Sequence, residues 1–104
     1  MAIVNEHNMS YDALEAILTK FGDRVKYIKT DNNTIVLNQK VIGQSFILTN
    51  SDIEHEVYDG YDFIKVKSFD PFNRIEYFSL IRVNDIRTIV VADHDYDVID
   101  AFRC

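Results

Sequence analysis

The chain is poor in the residues that staple, punctuate or bend a fold. Its 104 residues include one cysteine, one proline, three glycines and no tryptophan. The single cysteine, Cys104, excludes an internal disulfide, which suits a reducing compartment. Three isolated glycines exclude a glycine-rich phosphate loop, and the lack of glycine and proline predicts short connections. Bases are also in deficit. Eleven Lys and Arg against 17 Asp and Glu leave a formal charge of −6. That balance weighs against a nucleic-acid binder and favours a protein partner with a basic surface. No apolar run approaches the ~20 residues of a membrane span, so no membrane partner is expected. Residues 1–10 lack a basic region followed by an apolar one, so no signal peptide is expected and the chain reads as cytoplasmic.

What is present is apolar. Hydrophobic residues make up 47% of the chain, with seven Phe and six Tyr, enough for a core in one domain over 1–104. Residues 1–9 read as a lead-in, with Ile3 and Val4 either a short edge strand or disordered. Ser10 to Phe21 reads as a helix. Leu14, Ile17, Leu18 and Phe21 fall at i, i+3, i+4 and i+7 and form one stripe. Ser10 suits the N-cap, Asp12 the first turn, Lys20 the last turn, and Gly22 the position beyond the end.

Strand patterns follow. They run over 24–30, 34–38 and 41–49, with Gly43 marking a bulge or bend in the third. Ile53 to Tyr58 alternates, then Asp59-Gly60 predicts a type I′ hairpin turn, because both of its central residues need positive φ. The second hairpin, Tyr61 to Val83, is the organising stretch, with Asp70 and Pro71 opening a type I turn. Ile75, Tyr77, Ser79, Ile81 and Val83 share one face, and Glu76, Phe78, Leu80 and Arg82 the other. Bulky groups on both faces predict a central, doubly covered strand. Ile89-Val90-Val91 reads as a buried strand. The acidic tail over 93–104 is expected to carry a short helix from Asp95, with Val98, Ile99 and Phe102 on one face. The expected class is α+β: an N-terminal amphipathic helix packed on a mostly antiparallel, strongly bent sheet of six to seven strands, either open or closed as a small barrel.

Chemical motifs are few. Asp93, Asp95 and Asp97 have the spacing of a calcium-loop start, but the required glycine is Val98 and the closing Glu is Cys104, so an EF-hand is excluded. A weak divalent-ion site at Asp93, His94 and Asp95 is the remnant of that idea. His55 on a strand has no identifiable orienting partner and reads as structural. His7, His55 and His94 lack zinc spacing. No nucleophile has an activating context, and no cofactor is expected.

Two acidic groups stand out, and Asp52, Glu54, Glu56, Asp62, Asp93, Asp95 and Asp97 are the candidate partner-binding residues. Asp59 is set aside because it shapes a turn. Together they would form a negative face that imitates spaced phosphates toward a basic, nucleic-acid-handling partner. Opposed to them are Lys26, Lys29, Lys65, Lys67 and Arg74, interleaved with Tyr27, Phe63, Phe69 and Phe72, a mix that suits stacking plus charge. The element order, a leading helix and then a meander, is similar to that of Sm-like barrels. It implies the alternative of a ligand- or RNA-binding barrel, although the specific residues of those RNA-binding proteins do not occur here. The expectation is a small non-enzymatic binding protein or inhibitor, monomeric or homodimeric.

Overall fold

The computed structural model describes residues 9–70, 72–92 and 98–103, the last six by backbone path alone. The architecture is α+β. Helix α1 covers Tyr11–Phe21, and seven strands follow: β1 Val25–Lys29, β2 Thr34–Val36, β3 Glu54–Tyr58, β4 Tyr61–Asp70, β5 Ile75–Arg82, β6 Thr88–Ala92 and β7 Val98–Arg103.

The helix forms as its caps dictate. Ser10 Oγ accepts the Ala13 N–H at 3.1 Å, and Asp12 and Lys20 sit at the ends that the helix dipole favours. At its end Gly22 takes a φ of 54° and its N–H donates to the Leu18 carbonyl. Leu14 and Ile17 are buried, and Leu18 and Phe21 pack half-buried against the same core.

The strands do not make one sheet. They divide into a four-strand sheet in the order β2-β1-β6-β7 and a three-strand sheet in the order β3-β4-β5, with antiparallel pairing throughout. The expectation of a single sheet of six to seven strands is corrected accordingly. No closed barrel forms among the described residues. Ile28, Ile35, Ile89 and Val91 from the first sheet share one core with Ile64, Val66 and Ile81 from the second. Met9, Leu37 and Leu48 join that core from outside the strands.

Three further expectations fail, each for a tertiary reason. First, β5 is not central. It borders only β4 among the described residues, and its first four residues are exposed on both faces. Second, 41–49 is no strand. It belongs to an irregular connection held by Asn38 N–H to Leu48 O and Gln44 N–H to Val41 O. Gly43 sits in it with a φ of 91°. Third, the tail over 98–103 is a strand rather than a helix, because the edge of β6 offers it a ladder from Thr88–Arg103 to Ala92–Val98. The lead-in at Ile3 and Val4 and the ion site at 93–95 lie outside the described residues.

The Asp59-Gly60 turn behaves as its residues require, whereas the type I turn expected at Asp70 and Pro71 falls on Pro71, which lies outside the described residues. Asp59 and Gly60 have φ of 52° and 81°, as a type I′ turn demands. At the β4–β5 turn Asp70 Oδ1 accepts the Phe72 N–H at 2.9 Å, Asn73 Nδ2 donates to Oδ2 at 2.8 Å, and Arg74 closes the loop at a φ of 54°. Those bonds stabilise the carboxylate and hold Asp70 below its ordinary pKa, the Asn73 side chain contributing most.

Candidate interaction surface

One face of the three-strand sheet sends Ile64, Val66 and Ile81 into the core, while Val57, Ile75 and Tyr77 toward its ends stay exposed. The outer face is open except where Phe46 and Ser45 reach Lys67 and Glu76. The register of the sheet, from Tyr58 opposite Tyr61 and from Asp70 opposite Ile75, places every residue on one face or the other. Glu54, Glu56 and Tyr58 of β3 lie on the outer face. Beside them run Tyr61, Phe63, Lys65, Lys67 and Phe69 of β4, and then Glu76, Phe78, Leu80 and Arg82 of β5.

Large apolar groups on this face stay open to solvent: Tyr58 is 47% exposed, Tyr61 52%, Phe78 62% and Leu80 51%. Cations lie over the rings. The Arg82 guanidinium carbon is 3.9 Å from the Tyr61 centroid, and Lys65 Nζ is 4.6 Å from that of Phe78. Tyr58 meets Phe63 edge to face at 5.5 Å. Lys67 Nζ pairs with Glu76 Oε2 at 3.3 Å. Neither Lys65 nor Arg82 has a carboxylate at ion-pair distance among the described residues. Arg82 Nε is buried and has no hydrogen-bond acceptor there.

The expected acidic set does not share this face. Glu54 and Glu56 are on it, with Glu54 directly across from Lys65. Asp52 is occupied in a capping box, its Oδ2 accepting the Thr49 N–H at 2.8 Å and the Thr49 hydroxyl at 3.0 Å. Asp62 lies on the opposite face. Asp93, Asp95 and Asp97 fall outside the described residues. Of the basic and aromatic residues, Phe63, Lys65, Lys67 and Phe69 do come together on β4, whereas Lys26, Tyr27 and Lys29 belong to β1 in the other sheet.

Asp62 instead partners His55, for which the sequence identified no orienting group. His55 Nε2 lies 2.7 Å from Asp62 Oδ1. The imidazole stacks on the Tyr11 ring, with centroids 3.6 Å apart and planes within 5°. Burial, aided by the charges of Glu15, Asp12 and Asp62, raises the Tyr11 pKa above its ordinary value. The trio joins the start of α1 to β3 and β4. The His55–Asp62 adjacency is implied by the Asp59-Gly60 turn, because a two-residue loop pairs 57 with 62 and so puts residue 55 diagonally beside 62. The stack from Tyr11 has no such local signal.

Among the described residues no group of three or more His, Cys, Asp and Glu could hold a metal ion. No helix there is long and apolar enough to cross a membrane. A cavity of about 170 Å³ between β2 and β5 is lined by Thr34, Gln44, Ser68, Tyr77 and Ser79. Wider depressions lie beside Asp31, Arg82 and Asp85 (about 310 Å³) and along Asp12, Glu15 and Thr19 of α1 (about 450 Å³). No protein family, no curated protein and no solved structure matches this chain.

Proposed function

We propose that this chain is a non-enzymatic protein-binding module and that the outer face of β3, β4 and β5 is its contact surface. One observation carries the reading: Tyr58, Tyr61, Phe78 and Leu80 stand about half exposed or more on a single sheet face. Contiguous apolar exposure of this kind marks interaction sites, and Tyr and Arg supply much of the energy at protein interfaces. The face is charge-balanced, with Lys65, Lys67 and Arg82 set against Glu54, Glu56 and Glu76. A polyanion gains little from such a surface, and the net charge of −6 opposes it further. A protein partner is therefore favoured over RNA. The acidic-face reading is weaker, because Asp52 is engaged in a cap and Asp62 points away from Glu54 and Glu56.

Capture from lysate of the source organism tests the proposal. The Phe78→Ser/Leu80→Ser variant should lose the partner that the wild-type chain retains. Ile42→Ser, at a fully exposed site on the irregular connection, should retain it. Equal capture by all three proteins would remove the sheet face from the function.

A further inference from the structure

Resting on that reading, the geometry points to an acidic peptide segment as the partner's contacting element, with its carboxylates seated on Lys65 and Arg82. The chain holds 17 acids against 11 bases, yet these two outer-face cations have no carboxylate at ion-pair distance among the described residues. Their neighbour Lys67 does, in Glu76. Rings rather than carboxylates hold both cations: Tyr61 beneath Arg82 and Phe78 beneath Lys65. A ring fixes a cation without neutralising it, so the charge remains available to a ligand. The guanidinium is also poorly satisfied, since its buried Nε has no acceptor among the described residues. With Nε covered, a carboxylate meets the guanidinium through its terminal nitrogens.

Spacing supports an extended segment. Lys65 is directly opposite Leu80, so Arg82 is its diagonal neighbour across the ladder, with the backbone positions about 7–8 Å apart. The Lys65 head leans toward Phe78 and the Arg82 head toward Tyr61, away from each other along the strands. The two charges therefore stand farther apart than the ~7 Å between residues i and i+2 of an extended chain, and an extended segment meets both with acids at a wider spacing than i and i+2. Leu80 and Phe78, next to the two cations, provide the apolar floor for a neighbouring side chain. The charge pattern selects peptide over nucleic acid. Glu54 and Glu56 on one side and Glu76 on the other flank the two available cations. A phosphate backbone carries a charge on every nucleotide and would run against them. A peptide can place its acids on Lys65 and Arg82 alone.

The test is selection from a random dodecapeptide library displayed on phage, using the full chain as bait. Enriched peptides should carry Asp or Glu next to Leu, Ile or Phe. Affinity of a representative synthetic peptide should fall about tenfold for Lys65→Gln and again for Arg82→Gln, and should weaken at high salt. Circular dichroism checks that each variant folds. Lys65→Gln alone decides the matter if Arg82→Gln does not fold. Basic or uncharged winners, an indifferent response to Lys65→Gln, no enrichment, self-association of the chain through this face, or tighter binding of a single-stranded oligonucleotide would each overturn the inference. Peptides lost with Phe78→Ser/Leu80→Ser but indifferent to both charge changes would overturn only the carboxylate pairing. Peptides indifferent to all of these variants would overturn the surface itself.

Discussion

Strands β5 and β6 are both rich in apolar residues and have opposite fates. IEYFSLIR and TIVVA are both dominated by bulky apolar residues. Strand β6 has β1 on one side and β7 on the other. Ile89 and Val91 enter the shared core, and Val90 and Ala92 on its other face are buried as well. Strand β5 borders β4 alone among the described residues, and only Ile81 on it is buried. Apolar content therefore says that a strand has something to cover. It does not say whether this chain or another molecule does the covering. In β6 the demand is met internally, and in β5 it remains as an exposed surface.

The largest expected effect breaks the comparison at paired isoleucines. Ile89→Ala should cost about 2–5 kcal/mol, because a fully buried side chain leaves a cavity. Ile75→Ala, at a half-exposed site on β5, should cost less than ~1 kcal/mol. Urea denaturation of the two variants measures both. Similar losses would mean that β5 is covered in solution.

A smaller effect concerns how the helix is held to the four-strand side. Asn50 Nδ2 donates to the Gly22 carbonyl at 2.8 Å and to that of Leu18 at 3.3 Å. Asn38 Nδ2 bridges Asn50 Oδ1 and the Val25 carbonyl, both at 2.9 Å. The pair clasps the end of α1 to the start of β1. Asn50→Ala should cost about 1–3 kcal/mol, because it leaves part-buried carbonyls and an amide unsatisfied. A loss below that range in thermal unfolding would show that water replaces the clasp.

The smallest effect lies in the turn that begins β5. Asp70 is hydrogen-bonded as a carboxylate, so its folded pKa is lower than its unfolded value. Its contribution to stability is then present above the ordinary carboxylate pKa and lost as pH falls through the lowered folded value. Asp70→Ala should melt below wild type at pH 7, with the gap closing in strong acid. A gap that stays constant with pH would assign the effect to turn geometry rather than charge.

Local elements were legible in the residues themselves. The spacing of Leu14, Ile17, Leu18 and Phe21, with Ser10 before and Gly22 after, defines α1 because helix periodicity and capping act within a few residues. Asp59-Gly60 sets the β3–β4 register, because φ sterics permit few turns of two residues, and that register assigns each side chain of the hairpin to a face. The contact surface on β4 and β5 was thus half written in the alternation of Tyr61 to Arg82. Its exposure was not, since alternation is blind to which face meets another layer. The strand over 98–103 was unreadable for the same reason: Val98, Ile99 and Phe102 suit a helix stripe as well as a strand, and the edge of β6 decided between them. The split into two sheets, the Asn38–Asn50 clasp, the Tyr11 stack on His55, and the seating of Lys65 and Arg82 over rings join residues distant along the chain. Only the tertiary structure determines them, because their energies depend on long-range packing that no local pattern encodes.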